Sequence, residues 1–262
     1  MNRQLLIIDA LNLIRRLDAI SLKQYHTEQE RFKATLAATT NSIHKLLAQF
    51  NPSHVVAVFE RSGVDWRNRL YPAYKANRTI MPSHLSQGLE VIQDKLLEQG
   101  IDSLLNPEIQ ADDLIATLAS KAAAHALPTV IVSTDHGYWQ LLHRHNIEVY
   151  DYFKHQKITP DDVLKRYQLP SQFLVDYWAL TGNSGVNLSG VPGIGPKTAA
   201  KLINKYHHLE TLLNLPQGQD KTIDKILNHR SDAKLTYQLM QLVTSLPLGF
   251  NLKQLRYTNC LS

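Results

Sequence analysis

Three short apolar runs, each ending in an acidic residue, constrain the fold of this chain more than any other feature. They cover residues 5–9, 55–60 and 129–135, and their last residues are Asp9, Glu60 and Asp135. Continuous β-branched runs of this length, separated by helical patterns, are typical of buried strands in a parallel sheet built from βαβ units. The sequence therefore predicts an α/β fold in which helices flank a central, mostly parallel sheet.

The acids at the ends of these runs are expected to meet. Because ligands of such sheets bind outside the carboxyl ends of the strands, Asp9, Glu60 and Asp135 should stand on one rim. Asp112 and Asp113, in the first turn of a helix predicted over residues 109–119, join them there, although two acids in a first turn are also an ordinary helix start. Clustered carboxylates repel unless a metal ion or a proton intervenes, so the pattern predicts a cation site.

Residues 61–82 form a basic loop without apolar periodicity. Its basic residues are Arg61, Arg67, Arg69, Lys75 and Arg78, and Trp66, Tyr71 and Tyr74 stand between them. The plain alternative is a solvated surface loop. Basic residues mixed with aromatics suit phosphate contacts and base stacking, and we favour that interpretation. Lys75 and Arg78 are the best candidates to bind a phosphate beside the cation.

The pattern changes from alternating strands and helices to almost wholly helical near residue 158. It predicts an α/β core over residues 1–158 and a helical region over residues 159–262, with no Gly/Ser/Pro-rich linker between them. Further helices are predicted over 28–49, 83–99, 138–142, 160–167 and 171–180, and further strands over 101–105 and 147–152.

A glycine-rich stretch over residues 190–202 is the second motif. Its glycines allow tight turns and close approach of a phosphate, and Pro196 stands where a helix would begin. Backbone N–H groups at such a helix start can hold a phosphate oxygen. Lys197, Lys201 and Lys205 recur at intervals of four and form one basic stripe.

Residues 180–206 thus have the pattern of a helix–hairpin–helix that holds a DNA backbone without reading its bases. The alternative is a plain joint between two helices. Contacts of this kind lose affinity as salt rises. The predicted contact residues are Gly193, Ile194, Gly195, Pro196, Lys197, Thr198 and Lys201.

Composition agrees with a nucleic-acid partner. The formal net charge is +5 at pH 7, which suits a polyanion. Cys260 is the one cysteine, so an internal disulfide is excluded and a reducing compartment is predicted. No apolar run reaches about 18 residues, and the N-terminus lacks the apolar core of a signal peptide. We expect a cytoplasmic monomer without a membrane partner.

Taken together, the motifs resemble those of the 5′-nuclease (flap endonuclease) superfamily, and the chain is most similar to its stand-alone bacterial members. The likeness covers almost the whole chain and is carried by residues 6–9, 56–60, 74–78, 110–113, 133–135 and 180–195, with the run 9–16 as a specific marker. It implies a PIN-like fold with a C-terminal helix–hairpin–helix sub-domain. It also implies Mg²⁺-dependent hydrolysis of phosphodiester bonds at 5′-flap junctions of DNA, selected by structure and not by sequence.

The resemblance also implies roles for individual residues. Asp112 would ligate one Mg²⁺ directly, with a second ion held through water. The other acids, Asp9, Glu60, Asp113 and Asp135, would orient waters, while Lys75 and Arg78 neutralise the scissile phosphate. A K⁺ that raises DNA affinity would be bound by the backbone carbonyls of Leu180, Thr181, Ser189, Val191 and Ile194.

The chain departs from the superfamily at five acidic positions. The usual Asp is Glu60 here, the usual Glu is Gln110, and further Asp residues are replaced by Gly137, Asn183 and Val186. Gln110, Gly137, Asn183 and Val186 motivate an alternative in which the chain is a structure-selective DNA-binding protein with little or no turnover, but we favour the enzyme because five acids remain on one rim. A third hypothesis, a phosphatase with Asp9 as nucleophile, leaves the hairpin and the lysine stripe unexplained.

Overall fold

A computed structural model describes residues 2–60, 63, 65–218 and 220–258 of the chain. Arg61 of the predicted basic loop and Cys260 lie outside these described residues. The main sheet has the strand order β3-β2-β1-β4-β5-β6, and only the pair β5–β6 is antiparallel. Its strands are β1 (Asn2–Asp9), β2 (Pro52–Val58), β3 (Asp102–Leu104), β4 (Thr129–Val132), β5 (Ile147–Asp151) and β6 (Gln156–Ile158). The predicted mostly parallel sheet is confirmed.

Helices cover both faces of this sheet. They are α1 (Ala10–Ser21), α2 (Glu28–Phe50), α3 (Trp66–Leu70), α4 (Ser83–Leu97) and α5 (Ala111–Ala124). Because side chains alternate along a strand, Leu6 and Ile8 of β1 belong to a core with α1, α2 and α4, whereas Leu5 and Ile7 belong to a second core with α5. The short helix α3 lies inside the loop that the sequence pattern left without structure.

The C-terminal part is helical, apart from a small hairpin. Its helices are α6 (Pro160–Tyr167), α7 (Leu174–Thr181), α8 (Pro196–Tyr206), α9 (Leu209–Leu213), α10 (Lys221–Asn228) and α11 (Arg230–Met240), and the hairpin consists of β7 (Gly182–Asn183) and β8 (Leu188–Ser189). The change of pattern near residue 158 thus falls between β6 and α6. The core around Ile115 continues without interruption into Leu174 and Ile203, so both regions share one apolar interior.

The predicted strands over 55–60 and 129–135 are too long, and their true ends matter for the site. β2 ends at Val58 and β4 at Val132, so Glu60 and Asp135 stand on the loops just beyond the strands. The helix predicted over 138–142 is a 3-10 helix at His136–Leu141, and Asp135 caps its start. No helix in the described ranges is both long and apolar enough to cross a membrane.

Candidate active site and nucleic-acid interface

Four of the predicted acids line one pocket at the carboxyl edge of the sheet. Asp9 ends β1, Glu60 follows β2, Asp112 lies in the first turn of α5, and Asp135 follows β4. The pocket has a volume of about 400 Å³. Parallel strands bring their carboxyl ends to the same edge, which is why acids far apart in the sequence meet here.

Asp9 and Asp112 are held by hydroxyl and backbone donors. Asp9 Oδ2 accepts a hydrogen bond from Ser133 Oγ at 2.8 Å, and Asp9 Oδ1 accepts one from the backbone N–H of Asn12 at 3.3 Å. The Tyr138 hydroxyl donates to Asp112 Oδ1 at 3.1 Å and lies 3.4 Å from Asp9 Oδ2. Tyr138 therefore lies between the two carboxylates and fixes their spacing.

The acids of the pocket differ in charge. Burial raises the pKa of Asp9 to about 7, and the negative charges of Asp112 and Asp135 act in the same direction. Burial also favours the neutral form of Asp112, but the Lys75 ammonium, assisted by Arg78, outweighs it and lowers the pKa to about 2. The Asp135 pKa is raised by burial and by the charge of Asp112. Asp112 is thus the firmly ionised acid of the pocket.

Lys75 and Arg78 bring positive charge to the same place. Lys75 Nζ lies 3.1 Å from Asp112 Oδ2 and 3.9 Å from Glu60 Oε1, and an Arg78 guanidinium nitrogen lies 3.9 Å from Glu60 Oε2. Burial alone would lower the pKa of Lys75, yet the charge of Asp112 reverses the effect and raises it. Lys75 is therefore a stable cation beside Asp112 and Glu60, two of the acids that line the pocket.

The arrangement suits a hydrated cation better than a closed metal cage. Among the described residues, no three His, Cys, Asp or Glu side chains form a group that could hold a metal on their own. Asp112 is the ionised acid, and Asp9, Glu60 and Asp135 line the same pocket. Mg²⁺ retains several waters and needs only one or two direct carboxylates, so this donor set fits such an ion.

Asp113 does not reach the pocket, contrary to the sequence-based assignment. Successive residues of an α-helix point about 100° apart, so Asp112 and Asp113 cannot share a direction. The Asp113 carboxylate forms an ion pair with Arg67 at 2.6 Å, and both side chains are 1% exposed. It also accepts hydrogen bonds from Trp66 Nε1 at 3.2 Å and from the backbone N–H of Val243 at 3.0 Å. Its role is structural.

Arg67 belongs to the basic loop that was predicted to contact phosphate, but its side chain is buried. Its five N–H groups all have acceptors, namely Leu239 O, Gln110 Oε1, Gln241 O and, twice, the Asp113 carboxylate. This buried guanidinium joins α3, the start of α5 and the end of α11. The predicted base-stacking roles fail in the same way for two aromatics: Tyr74 is buried, and the indole of Trp66 is bound to Asp113.

Gln110 belongs to the Arg67 network and not to the pocket. It is buried, its Oε1 accepts from Arg67 at 3.1 Å, and its Nε2 donates to the Asp65 carboxylate. An amide can donate on one side and accept on the other, whereas an ionised carboxylate can only accept. The glutamine therefore satisfies two partners that a glutamate could not satisfy together.

The glycine-rich motif forms the predicted turn before α8. A Cβ atom on Gly190 would lie 2.3 Å from Leu180 O, so only glycine allows this approach. Pro196 is the first residue of α8, and Gly195 precedes it as the N-cap. Lys197, Thr198, Lys201 and Lys205 line one groove of about 440 Å³. This groove and the start of α8 form a basic surface.

The predicted DNA contact by the Ile194 side chain is wrong. This side chain is buried in the core, so only the backbone of Ile194 can approach a ligand, whereas Gly193, Gly195, Pro196 and Lys197 are exposed.

The carbonyls assigned to potassium lie around the same hairpin. Three of them already accept hydrogen bonds: Leu180 O from Val191 N at 2.8 Å, Val191 O from Ile194 N at 3.0 Å, and Ser189 O from Thr236 Oγ1 at 3.0 Å. A carbonyl oxygen has a second lone pair, so these bonds leave room for a cation. The potassium site, including Thr181, stays a prediction.

The sequence pattern missed several residues of the pocket. Asn12, Arg15, Arg16 and Thr134 line it, and Tyr138 bonds its acids. The two arginines, on the helix that follows the strand-ending Asp9, were a usable signal for a phosphate site. Tyr138 gave no signal, because its role depends on how the 3-10 helix packs against α5.

Asp9 should give the metal-free protein a pH-dependent stability. Its folded pKa of about 7 exceeds the ordinary 3.8, so the folded state binds the proton more tightly than the unfolded chain does. The free energy of unfolding should therefore fall as the pH rises from about 5 to about 7, with Asp9 contributing up to about 1.4 kcal/mol per pH unit. The free energy of unfolding is measured by urea unfolding in EDTA at several pH values. Its slope against pH should be smaller for Asp9→Asn than for the parent, and equal slopes would contradict the assignment.

Family models match nearly the whole chain. Residues 4–168 match the model described as 5′-3′ exonuclease, N-terminal resolvase-like domain, and residues 169–261 match that described as 5′-3′ exonuclease, C-terminal SAM fold. A protein named Flap endonuclease Xni from Aeromonas hydrophila is 46% identical over 97% of this chain and 95% of its own length. A protein of the same name from Psychromonas ingrahamii is 43% identical over 97% of both chains.

Solved structures agree on the fold. The T5 D15 protein co-crystallised with metal ions has a TM-score of 0.75 at 20% identity, over 92% of this chain and 90% of that one. The catalytic core of Rad2 in complex with DNA substrate has a TM-score of 0.53 at 18% identity, over 92% of this chain and 72% of that one.

Proposed function

The chain belongs to the 5′-3′ exonuclease family, and we propose that it is a structure-selective flap endonuclease that hydrolyses DNA at 5′-flap junctions. One observation carries the proposal: Asp9, Glu60, Asp112 and Asp135 share a pocket that Arg78 also lines, and the Lys75 ammonium lies 3.1 Å from the Asp112 carboxylate. Relatives named flap endonuclease support the choice of substrate.

The pocket residues divide the chemistry among them. Asp112 is the proposed ligand of a divalent cation, which we take to be Mg²⁺, and Asp9, Glu60 and Asp135 would orient its waters. When bound, the ion would supply an acidified water and positive charge. Lys75 and Arg78 neutralise charge that gathers on the phosphate oxygens. A second ion would be held through water, because Gly137, Asn183 and Val186 carry no carboxylate.

DNA binding is assigned to the helical region. We propose residues 1–158 as the nuclease core and residues 159–262 as the DNA-binding region, with K⁺ at the hairpin as an aid to binding. Contacts from backbone N–H groups and lysines carry no base information, so binding should be independent of sequence. We further propose that the protein acts as a cytoplasmic monomer.

A cleavage assay tests the proposal against the DNA-binding alternative. A 5′-flap substrate and a matched nicked duplex without a flap are incubated with Mg²⁺, Mn²⁺ or EDTA, in K⁺ or Na⁺ buffer. We expect metal-dependent cleavage at the flap junction only. Binding without cleavage under all conditions would favour the alternative, especially if Gln110→Glu with Val186→Asp restored cleavage. Because Gln110 faces Asp65 and Arg67, Gln110→Glu alone should give no gain.

The lysine stripe should control the salt dependence of DNA binding. Lys197→Ala and Lys201→Ala are each expected to weaken binding to any DNA sequence and to reduce the slope of log Kd against log salt by about 1. Fluorescence anisotropy between low and moderate KCl measures the slope. Lys157→Ala is the control, since this lysine pairs with Glu148 on the sheet. An unchanged slope for both stripe variants would contradict the assignment.

A further inference from the structure

Three hydrogen bonds join the loop that carries Lys75 to the hairpin formed by β7 and β8. The backbone N–H of Lys75 donates to Val186 O at 2.9 Å. The side-chain amide of Asn187 donates to Ala73 O at 2.8 Å, and the amide of Asn77 donates to Ser184 O at 2.7 Å. The turn at residues 184–187 therefore bonds residues 73–77 on both sides of Lys75.

The backbone of Lys75 needs such support. Its φ is 56°, in the left-handed region that costs energy for residues with a Cβ atom. A residue in this region persists where its surroundings determine its conformation. The bonds at Ala73, Lys75 and Asn77 provide that determination, and the resulting backbone directs Lys75 Nζ to Asp112, 3.1 Å away.

Asn187 is suited to its place in the turn. Its φ is 57°, a conformation that asparagine tolerates better than most residues, and its amide still reaches the neighbouring loop. We propose that Asn187 is a positioning residue, which fixes Lys75 beside Asp112 by holding the loop against the hairpin. The proposal rests on the nuclease function and adds to it a link between the DNA-binding region and the pocket.

The link has a consequence for substrate selection. The hairpin that holds Lys75 continues through Gly190 and Gly195 into the basic start of α8. The lysine at the pocket and the surface proposed to hold the duplex are thus fixed to the same element. A DNA backbone bound at α8 meets Lys75 at a set distance, which favours junctions of one geometry.

Asn187→Gly tests the proposal, because glycine accepts the left-handed backbone and removes the amide donor. Asn146→Gly is the matched control, since Asn146 also has a left-handed φ, of 66°, in the turn before β5. Single-turnover rates and Kd are measured on 5′-flap DNA with Mg²⁺. Hydrogen exchange is measured over residues 71–80. Asn77→Ala removes another of the three hydrogen bonds, the one that the loop donates to Ser184 O of the hairpin.

We expect Asn187→Gly to lower the cleavage rate about tenfold, with Kd changed less than twofold, because a misplaced catalytic group affects the rate more than binding. Exchange of the Lys75 amide should be faster, Asn77→Ala should act in the same direction, and Asn146→Gly should behave like the parent. An unchanged rate, a loss confined to Kd, or unchanged exchange would overturn the proposal. If the parent fails to cleave flap DNA, the function fails, while exchange still decides whether Asn187 holds the loop.

Discussion

Replacing Asp112 by asparagine is expected to lower the metal-dependent cleavage rate by roughly 10²-fold or more, the loss that follows removal of a key electrostatic group. Asp112 is the pocket acid with a pKa of about 2, so it is ionised in the free protein at neutral pH. Asparagine keeps the shape and the contact with Tyr138 but carries no charge. Affinity for DNA should be equal or higher, because a negative charge near the phosphate is removed.

Single-turnover cleavage of a 5′-flap substrate, with Kd from anisotropy in Ca²⁺ or EDTA, separates the two effects. Asp94→Asn, on the exposed face of α4, is the matched control and should cleave at the parental rate. Cleavage by Asp112→Asn at the parental rate would remove the residue from the active site. A rate loss accompanied by an equal loss of affinity would assign it to DNA binding instead.

The convergence of the acids could be predicted because it depends on chain topology alone. Strands that are parallel end on the same edge; Asp9 is the last residue of such a strand, and Glu60 and Asp135 follow shortly after one. The helix–hairpin–helix was similarly readable, because only glycine allows the close approach of Gly190 to Leu180 O, and Pro196 suits the first turn of a helix.

The direction of individual side chains could not be predicted. Asp112 and Asp113 are neighbours in the sequence, yet one faces the pocket and the other faces Arg67. What decides between them is the backbone of Leu239 and Gln241, which is distant in sequence and visible only once α11 is packed. The direction of the Gln110 side chain could not be predicted either. The family resemblance placed this residue at a metal site, but in the structure its amide oxygen accepts a hydrogen bond from Arg67.

The two short strands of the hairpin were also beyond the sequence pattern. β7 and β8 have two residues each, which is too short for any periodicity. Their pairing, together with the bonds from Asn77 and Asn187, is what connects the basic loop to the helical region. The sequence located both segments correctly but gave no indication that they are in contact.

Arg67→Ala is expected to destabilise the protein by about 3–5 kcal/mol, because it leaves the buried carboxylate of Asp113 without its counter-ion. The carbonyls of Leu239 and Gln241 also lose a donor each. For a chain of this size the melting temperature should fall by roughly 10 °C. Arg69→Ala is the control, since Arg69 is an exposed neighbour on the same short helix and its loss should leave stability nearly unchanged.

A double variant distinguishes the cost of the lost Arg67 hydrogen bonds from the cost of the unpaired Asp113 carboxylate. If the main cost of Arg67→Ala is the unpaired Asp113 carboxylate, then Arg67→Ala with Asp113→Asn should be less destabilised than the sum of the two single variants. Calorimetry of the four proteins at pH 7 measures the coupling. Additive effects would mean that the two side chains stabilise the fold independently, in which case Arg67 would act mainly through the backbone of α11. A coupling above about 0.5 kcal/mol in the expected direction would show that the unpaired carboxylate is the main cost, whereas a coupling of the opposite sign would contradict it.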